Sequence, residues 1–362
     1  MHEVIHVTLL AIGVLLVPGL LSRLVPLPAH NAATPPLRDE RGRVIVFDLM
    51  RAIAIIAVVL IHVTYLFPYT TYNVSPAVLD AMDALLRFAV PIFFISSGVL
   101  LQPVAHTIAA ISRFYWRKIG TLFIPYALVT GLLTYAANGS ATTFLHNLAT
   151  GNASVPFYFI ITLFQLYLLY PWIERLARKR FAVYTALLTS IACYFVPQAW
   201  ELYEVPLAIR FVFFFMWGIY MRAQLLTGAI DRSLTPWLVL VGAFIALYTQ
   251  LPGEYFNVRP FYGIGMFAIL YLTLVQISTN TRRARTMQTI GTYTLFIFLL
   301  HYPIMEYFTP HVIALLPLNG IALFITYTVL ISVITILVSY IVGRLYETGT
   351  RALIRTLHTA RH

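Results

Sequence analysis

The chain has 362 residues, of which 60% are hydrophobic and only 10% charged, and its formal net charge is +11. Soluble globular domains carry about 25% charged residues. Such a chain cannot cover a water-facing surface, which excludes a soluble enzyme or a free nucleic-acid binder. The composition predicts an all-α polytopic integral membrane protein with the lipid bilayer as its first partner. Membrane barrels are excluded because the apolar segments lack the alternation of barrel strands.

In chain order, apolar stretches lie near 4–22, 45–67, 84–103, 119–137, 156–173, 181–198, 206–222, 236–251, 260–278, 288–309 and 320–344. Each approaches the roughly 20 residues needed to cross the hydrocarbon core, so about 11 transmembrane helices are expected. The first stretch begins Met1-His2-Glu3, without the basic start of a secretory leader, and is read as a retained helix. The expected organisation is an extra N-terminal helix with a cytoplasmic linker over 1–43, a ten-helix body over 44–344 and a basic tail over 345–362.

Charge placement orients these segments. Alternate loops hold Arg23, Arg38, Arg41 and Arg43; Arg113, Arg117 and Lys118; Arg175, Arg178, Lys179 and Arg180; Arg222 and Arg232; Arg282, Arg283 and Arg285; and Arg344, Arg351, Arg355 and Arg361. That is 20 of the 24 basic residues on one side, and the positive-inside rule assigns that side to the cytoplasm. The expectation is a multi-pass protein of the cytoplasmic membrane, with the N-terminus outside and the C-terminus inside. The single cysteine, Cys193, allows no intrachain disulfide. The ten histidines form no metal-binding motif, so neither a metal nor a tightly bound cofactor is expected.

Four basic residues break the charge rule: Arg51, Arg87, Arg210 and Arg259. Charges at membrane depth are functional candidates. Arg51 and His62 are 11 residues apart. At 100° per residue this falls within about 20° of three full turns, so they share a helix face about 16 Å apart along the axis. Asp48 lies one turn from Arg51, close enough to pair with it. The pattern alone fits either a functional column or a topology anchor with a structural histidine. Arg113 and Arg117 stack at i,i+4, and guanidinium forks suit phosphate oxygens, although positive-inside charge explains them as readily. His301, near the outer end of its segment and followed by Glu306, is either part of a reaction chamber or a structural imidazole at the Pro303 kink. Ser96-Ser97-Gly98 permits close helix contact. Asp80, Asp83, Arg87, Glu201, Glu204, Arg210, Glu254 and Arg259 could line an outer polar vestibule. Gly263-Ile264-Gly265-Met266-Phe267-Ala268 imitates a dinucleotide fingerprint, but no strand precedes it.

Taken together, these motifs resemble the membrane-bound acyltransferase-3 family, the bacterial O-acyltransferases that modify surface polysaccharides. Val46-Phe47-Asp48-Leu49-Met50-Arg51 through His62 is similar to its opening helix, with a basic residue, ten residues and then histidine. Val90-Pro91-Ile92-Phe93-Phe94-Ile95-Ser96-Ser97-Gly98 resembles its Phe-x-x-Ser-Gly segment, and Arg113 and Arg117 before Pro125 its arginine-rich helix. Phe157-Tyr158-Phe159 through Gln165-Leu166-Tyr167 and Pro171 resembles the poly-N-acetylglucosamine succinyltransferase branch. Thr292-Tyr293-Thr294-Leu295 with His301-Tyr302-Pro303-Ile304 is similar to the family's penultimate helix. Two departures are expected: the extra N-terminal helix, and a body without the esterase-like domain that some members append.

The resemblance implies transfer of an acetyl or succinyl group from cytosolic acyl-CoA to a hydroxyl of an extracytoplasmic polysaccharide or glycan, beside the polysaccharide synthesis machinery. It implies His62 as base or acyl relay, with Arg51, Asp48 and His301 in the catalytic group. Arg51, Arg113, Arg117 and Lys118 would hold the donor, and Arg87, Glu306, Arg210 and Arg259 the acceptor. The rival reading is a transporter or flippase for glycans or lipid-linked sugars. The topology itself is testable: cysteines placed at Ala33 and Thr359 should resist labelling from outside intact cells, and strong labelling at either would reject it.

Overall fold

The computed structural model describes residues 43–193, 201, 202, 204–227, 259–275 and 282–359. The stretch 4–22, most of the linker, 236–251, Arg232, Glu254 and Arg361 lie outside the described residues. The described chain is helical apart from one antiparallel ladder, in which Glu201–Leu202 pairs with Val205–Pro206.

Helix α1, Ile45–Leu66, is apolar along most of its length, with Asp48 in its first turn, where a carboxylate favours the helix dipole. It ends at Phe67, held extended at ψ 125° because Pro68 follows. Helices α2 (Pro76–Leu86) and α3 (Ala89–Leu100) come next. The sequence stretch 84–103 is thus not one helix. Pro91 cannot donate to the carbonyl of Arg87, and the chain breaks at Arg87 and Phe88.

Helix α4 (Ile108–Lys118) runs through a π turn, Ile119–Phe123, into α5 (Ile124–Ala136). Pro125 explains the widening: its ring would clash with the carbonyl four residues earlier, and an extra residue per turn relieves the clash. Helices α6 (Ala141–Thr150), α7 (Tyr158–Ala177) and α8 (Arg180–Ala192) follow. The remaining helices are α9 (Val212–Thr227), α10 (Arg259–Leu274), α11 (Arg282–Thr292), α12 (Thr294–Ala314) and α13 (Gly320–Thr359).

Among the described residues, four helices are long and apolar enough to cross a membrane: Ile45–Leu66, Ile108–Ala136, Val155–Ala177 and Gly320–Thr350. The chain is therefore a helical membrane protein, while the expected count of about 11 crossings is not confirmed. Breaks such as those at Arg87 and Tyr293 divide apolar stretches into shorter helices.

Helix α1 is central, packing against α2, α3, α10, α11, α12 and α13. Helices α3 and α9 approach most closely through two facing glycines. A Cβ on Gly98 would lie 2.2 Å from the Phe215 carbonyl oxygen, and one on Gly218 would lie 2.3 Å from that of Ile95. Below this seam Arg222 of α9 is largely buried and donates to the Gly98 carbonyl and to the Tyr170 hydroxyl, both at 3.0 Å. Tyr170 donates in turn to the Gln102 carbonyl at 2.9 Å. Glu174 lies 4.0 Å from Arg222 and accepts from Arg178 at 2.7 Å. Arg222, expected among the loop cations, is thus a helix-packing residue.

Gly98→Ala or Gly218→Ala should lower stability by about 1–3 kcal/mol through overpacking, measurable as earlier thermal unfolding in detergent. Ser96→Ala should be near neutral or stabilising, since its buried hydroxyl finds no partner among the described residues.

Candidate active site

Helix α1 presents Arg51 and His62 on one face, as their spacing predicts, and α12 brings His301 to the same place. The two imidazoles lie 4.8 Å apart between centroids at 64°. His301 Nε2 is 3.1 Å from His62 Nδ1. Backbone carbonyls assign the protons, because a carbonyl oxygen only accepts. His301 Nδ1 lies 2.7 Å from the Phe298 oxygen and 3.1 Å from that of Ile297, so it carries a hydrogen and leaves a lone pair on Nε2. His62 Nδ1 lies 2.8 Å from the Val58 oxygen, so it too carries a hydrogen, shared with His301 Nε2. The lone pair of His62 then resides on Nε2. This is one self-consistent proton arrangement assigned from the network. It makes His62 a base whose other nitrogen is held on both sides.

Further along the axis from Arg51, the histidines are edged by aromatic and charged groups. Tyr302 stands edge-on to His62 at 5.4 Å, and the exposed Tyr65 lies 6.5 Å from Tyr302. Asp83 on α2, the helix that packs against α1, accepts from Arg87 at 2.7 Å. Glu306 is exposed and lies one turn beyond Tyr302 on α12.

Toward the Arg51 end lies a cavity of about 230 Å³, lined by Arg51, Lys118, Tyr167, Phe159 and Phe298 among others. Its polar end is built from two cations. Asp48, buried, is bridged by Arg43 at 2.9 Å and by Arg51, and Arg43 also donates to Thr292 at 2.7 Å. Gly291 lets α11 close on α1 here, since a Cβ would fall 2.0 Å from the Asp48 carbonyl oxygen. The Lys118 ammonium sits 4.2 Å above the Tyr167 ring, a cation–π contact, at the start of the π turn whose Thr121 and Leu122 line the wall. The other end is aromatic. Phe159 and Phe298 lie 4.9 Å apart, and Phe298 touches the His301 ring at 5.6 Å. Tyr167 and Phe159 are eight residues apart on α7, so the cavity runs about 12 Å along the axis.

Arg51 and Lys118 both line the cavity, whereas His62 and His301 meet beyond Phe298 without lining it. Asp48 positions Arg51 and lies about 21 Å from His62 along α1. Arg113 and Arg117 are exposed and do not line the cavity. Arg210 closes the turn Ala208–Arg210 and likewise does not line it. The Arg259 side chain lies outside what the structure describes. Phe159, which the sequence marks only as part of a family-like motif, and Phe298, which carries no signal beyond apolar spacing, are wall residues. Sequence reasoning assigned no role to Tyr302, whose place beside His301 was the available hint. If His301 Nε2 orients His62, His301→Gln, which offers an oxygen acceptor, should retain more acyl-transfer activity than His301→Leu. Equal losses in kcat would reduce His301 to packing.

In a comparison with known families, a family profile described as an acyltransferase domain matches residues 44–344. Neither the curated proteins nor the solved structures contain a match to the chain. A profile spanning the helix of Arg51 and His62, the π turn and the helix of His301 places this arrangement within one domain, and the chain belongs to the acyltransferase-3 family of membrane acyltransferases.

Proposed function

We propose that the protein moves an acetyl or succinyl group from cytosolic acyl-CoA to a hydroxyl of an extracytoplasmic polysaccharide or glycan. The observation that carries this reading is the alignment of a cation-ended cavity with a histidine pair one turn beyond its far end. Arg51 and Lys118 would pair with donor phosphates, on the side that the arginine-rich loops assign to the cytoplasm. The donor's long arm would follow the cavity toward His62. Arg113 and Arg117, exposed beside Lys118, would attract the anion electrostatically.

At the reacting end, His62 Nε2 takes the proton of the acceptor hydroxyl. The oxygen attacks the thioester carbonyl carbon, the carbon–sulfur bond breaks, and the thiolate leaves with the proton returned from the imidazolium. During this step Nδ1–H remains bonded to the Val58 oxygen and His301 Nε2, which stabilises the imidazolium without reorganisation. Alternatively the same lone pair attacks the thioester carbon, the carbon–sulfur bond breaks and the thiolate leaves; the acceptor oxygen then takes the acyl group from the imidazole, and its proton goes to the thiolate. In both routes Tyr302, Tyr65, Asp83, Arg87 and Glu306 face the acceptor. The transport reading gains nothing from a family match to an acyltransferase domain.

The deciding experiment places purified protein in liposomes with labelled acetyl-CoA or succinyl-CoA and an acceptor glycan. Wild type should turn over the thioester. His62→Gln should lose about 10²–10⁴-fold while binding coenzyme A as the wild type does. Glycan movement without thioester turnover would replace this reading with transport.

A further inference from the structure

The geometry points to Phe298, backed by Phe159, as the element that limits the length of the acyl group the cavity admits. This inference rests on the cavity being the donor site. The closed end is an aromatic wall. Phe159 packs against Phe94 at 4.9 Å, Phe93 at 5.7 Å and Phe298 at 4.9 Å. Phe298 is buried between Phe159 and the His301 ring, and it lies three residues, about 4.5 Å of rise, before His301 on the same helix. Neither histidine lines the cavity. One aromatic ring therefore separates the cavity from the dyad.

A donor with its phosphates at Arg51 and Lys118 directs its thioester at this wall. A donor whose connecting arm fills this cavity brings its acyl group against Phe298, which must rotate to admit it. Interiors are close-packed, and Phe159 is braced by three other rings. Displacing Phe298 alone accommodates a short acyl group. Each further methylene meets rings with nowhere to move. The separate apolar pocket lined by Phe123, Tyr126, Phe164 and Gln165 offers long chains an alternative, which the experiment must distinguish.

The test titrates wild type, Phe298→Ala, Phe298→Leu and Phe164→Ala with coenzyme A and with its acetyl, butyryl and hexanoyl thioesters in detergent. Wild type should bind coenzyme A and acetyl-CoA alike and the longer thioesters progressively more weakly. In the Phe298 variants each thioester is compared with that variant's own affinity for coenzyme A. These variants should gain on the longer thioesters, up to about fourfold per methylene accommodated. Phe298→Leu retains enough bulk to fold should the alanine variant fail. Equal wild-type affinity for acetyl- and hexanoyl-CoA would overturn the proposal, as would parallel length profiles in wild type and the Phe298 variants. So would a length shift seen only in Phe164→Ala. Absence of coenzyme A binding by wild type would overturn the donor reading and this inference with it.

Discussion

The hydrogen bond between His62 and His301 joins helices α1 and α12 at 3.1 Å, and the proposed chemistry depends on it. Each ring turns its remaining Nδ1 bond toward a carbonyl of its own helix. The helices thus fix the ring orientations, and the rings fix the approach of the helices. An imidazole in such surroundings is costly unless its nitrogens are satisfied. Here three of the four nitrogens have partners in the protein, and the fourth, His62 Nε2, is the one that the proposed reaction uses.

The same rule governs the polar residues elsewhere in the apolar body. Asp48 is buried with two arginines, and Arg222 is buried with a carbonyl, a phenol and a carboxylate. Both sites rest on glycine: Gly291 admits the Asp48 turn, and Gly98 supplies a carbonyl to Arg222 while admitting α9. Buried ion pairs contribute little net stability because desolvation offsets the attraction. Their role here is geometric. They hold Arg51 at the mouth of the cavity and α3 against α9 along its wall.

Separation of the two ends also follows from packing. A transporter needs a route for its cargo from one face to the other. Among the described residues, Phe159 and Phe298 line the aromatic end of the cavity, and the histidine pair lies beyond Phe298.

The sequence determined the membrane class, because 10% charged residues cannot solvate a surface of this size. It also determined the shared face of Arg51 and His62 and their separation along the axis, because helical periodicity is local. The motif order supplied the family. Tertiary structure alone decided the rest. His62 meets His301 across 239 residues, and no local pattern encodes that azimuth. Arg113 and Arg117 share a face as their spacing requires, yet the packing of α4 against α7 leaves that face exposed and turns Lys118 toward the cavity. Phe159 and Phe298 are ordinary apolar positions in sequence and become a wall only when α7 and α12 are side by side. The breaks at Arg87 and in the π turn follow from Pro91 and Pro125, local signals outweighed in a reading of hydropathy alone. Periodicity fixes which residues share a face of a helix, whereas the direction that face points is set by which neighbours pack most closely, through contacts such as those at Gly98, Gly218 and Gly291.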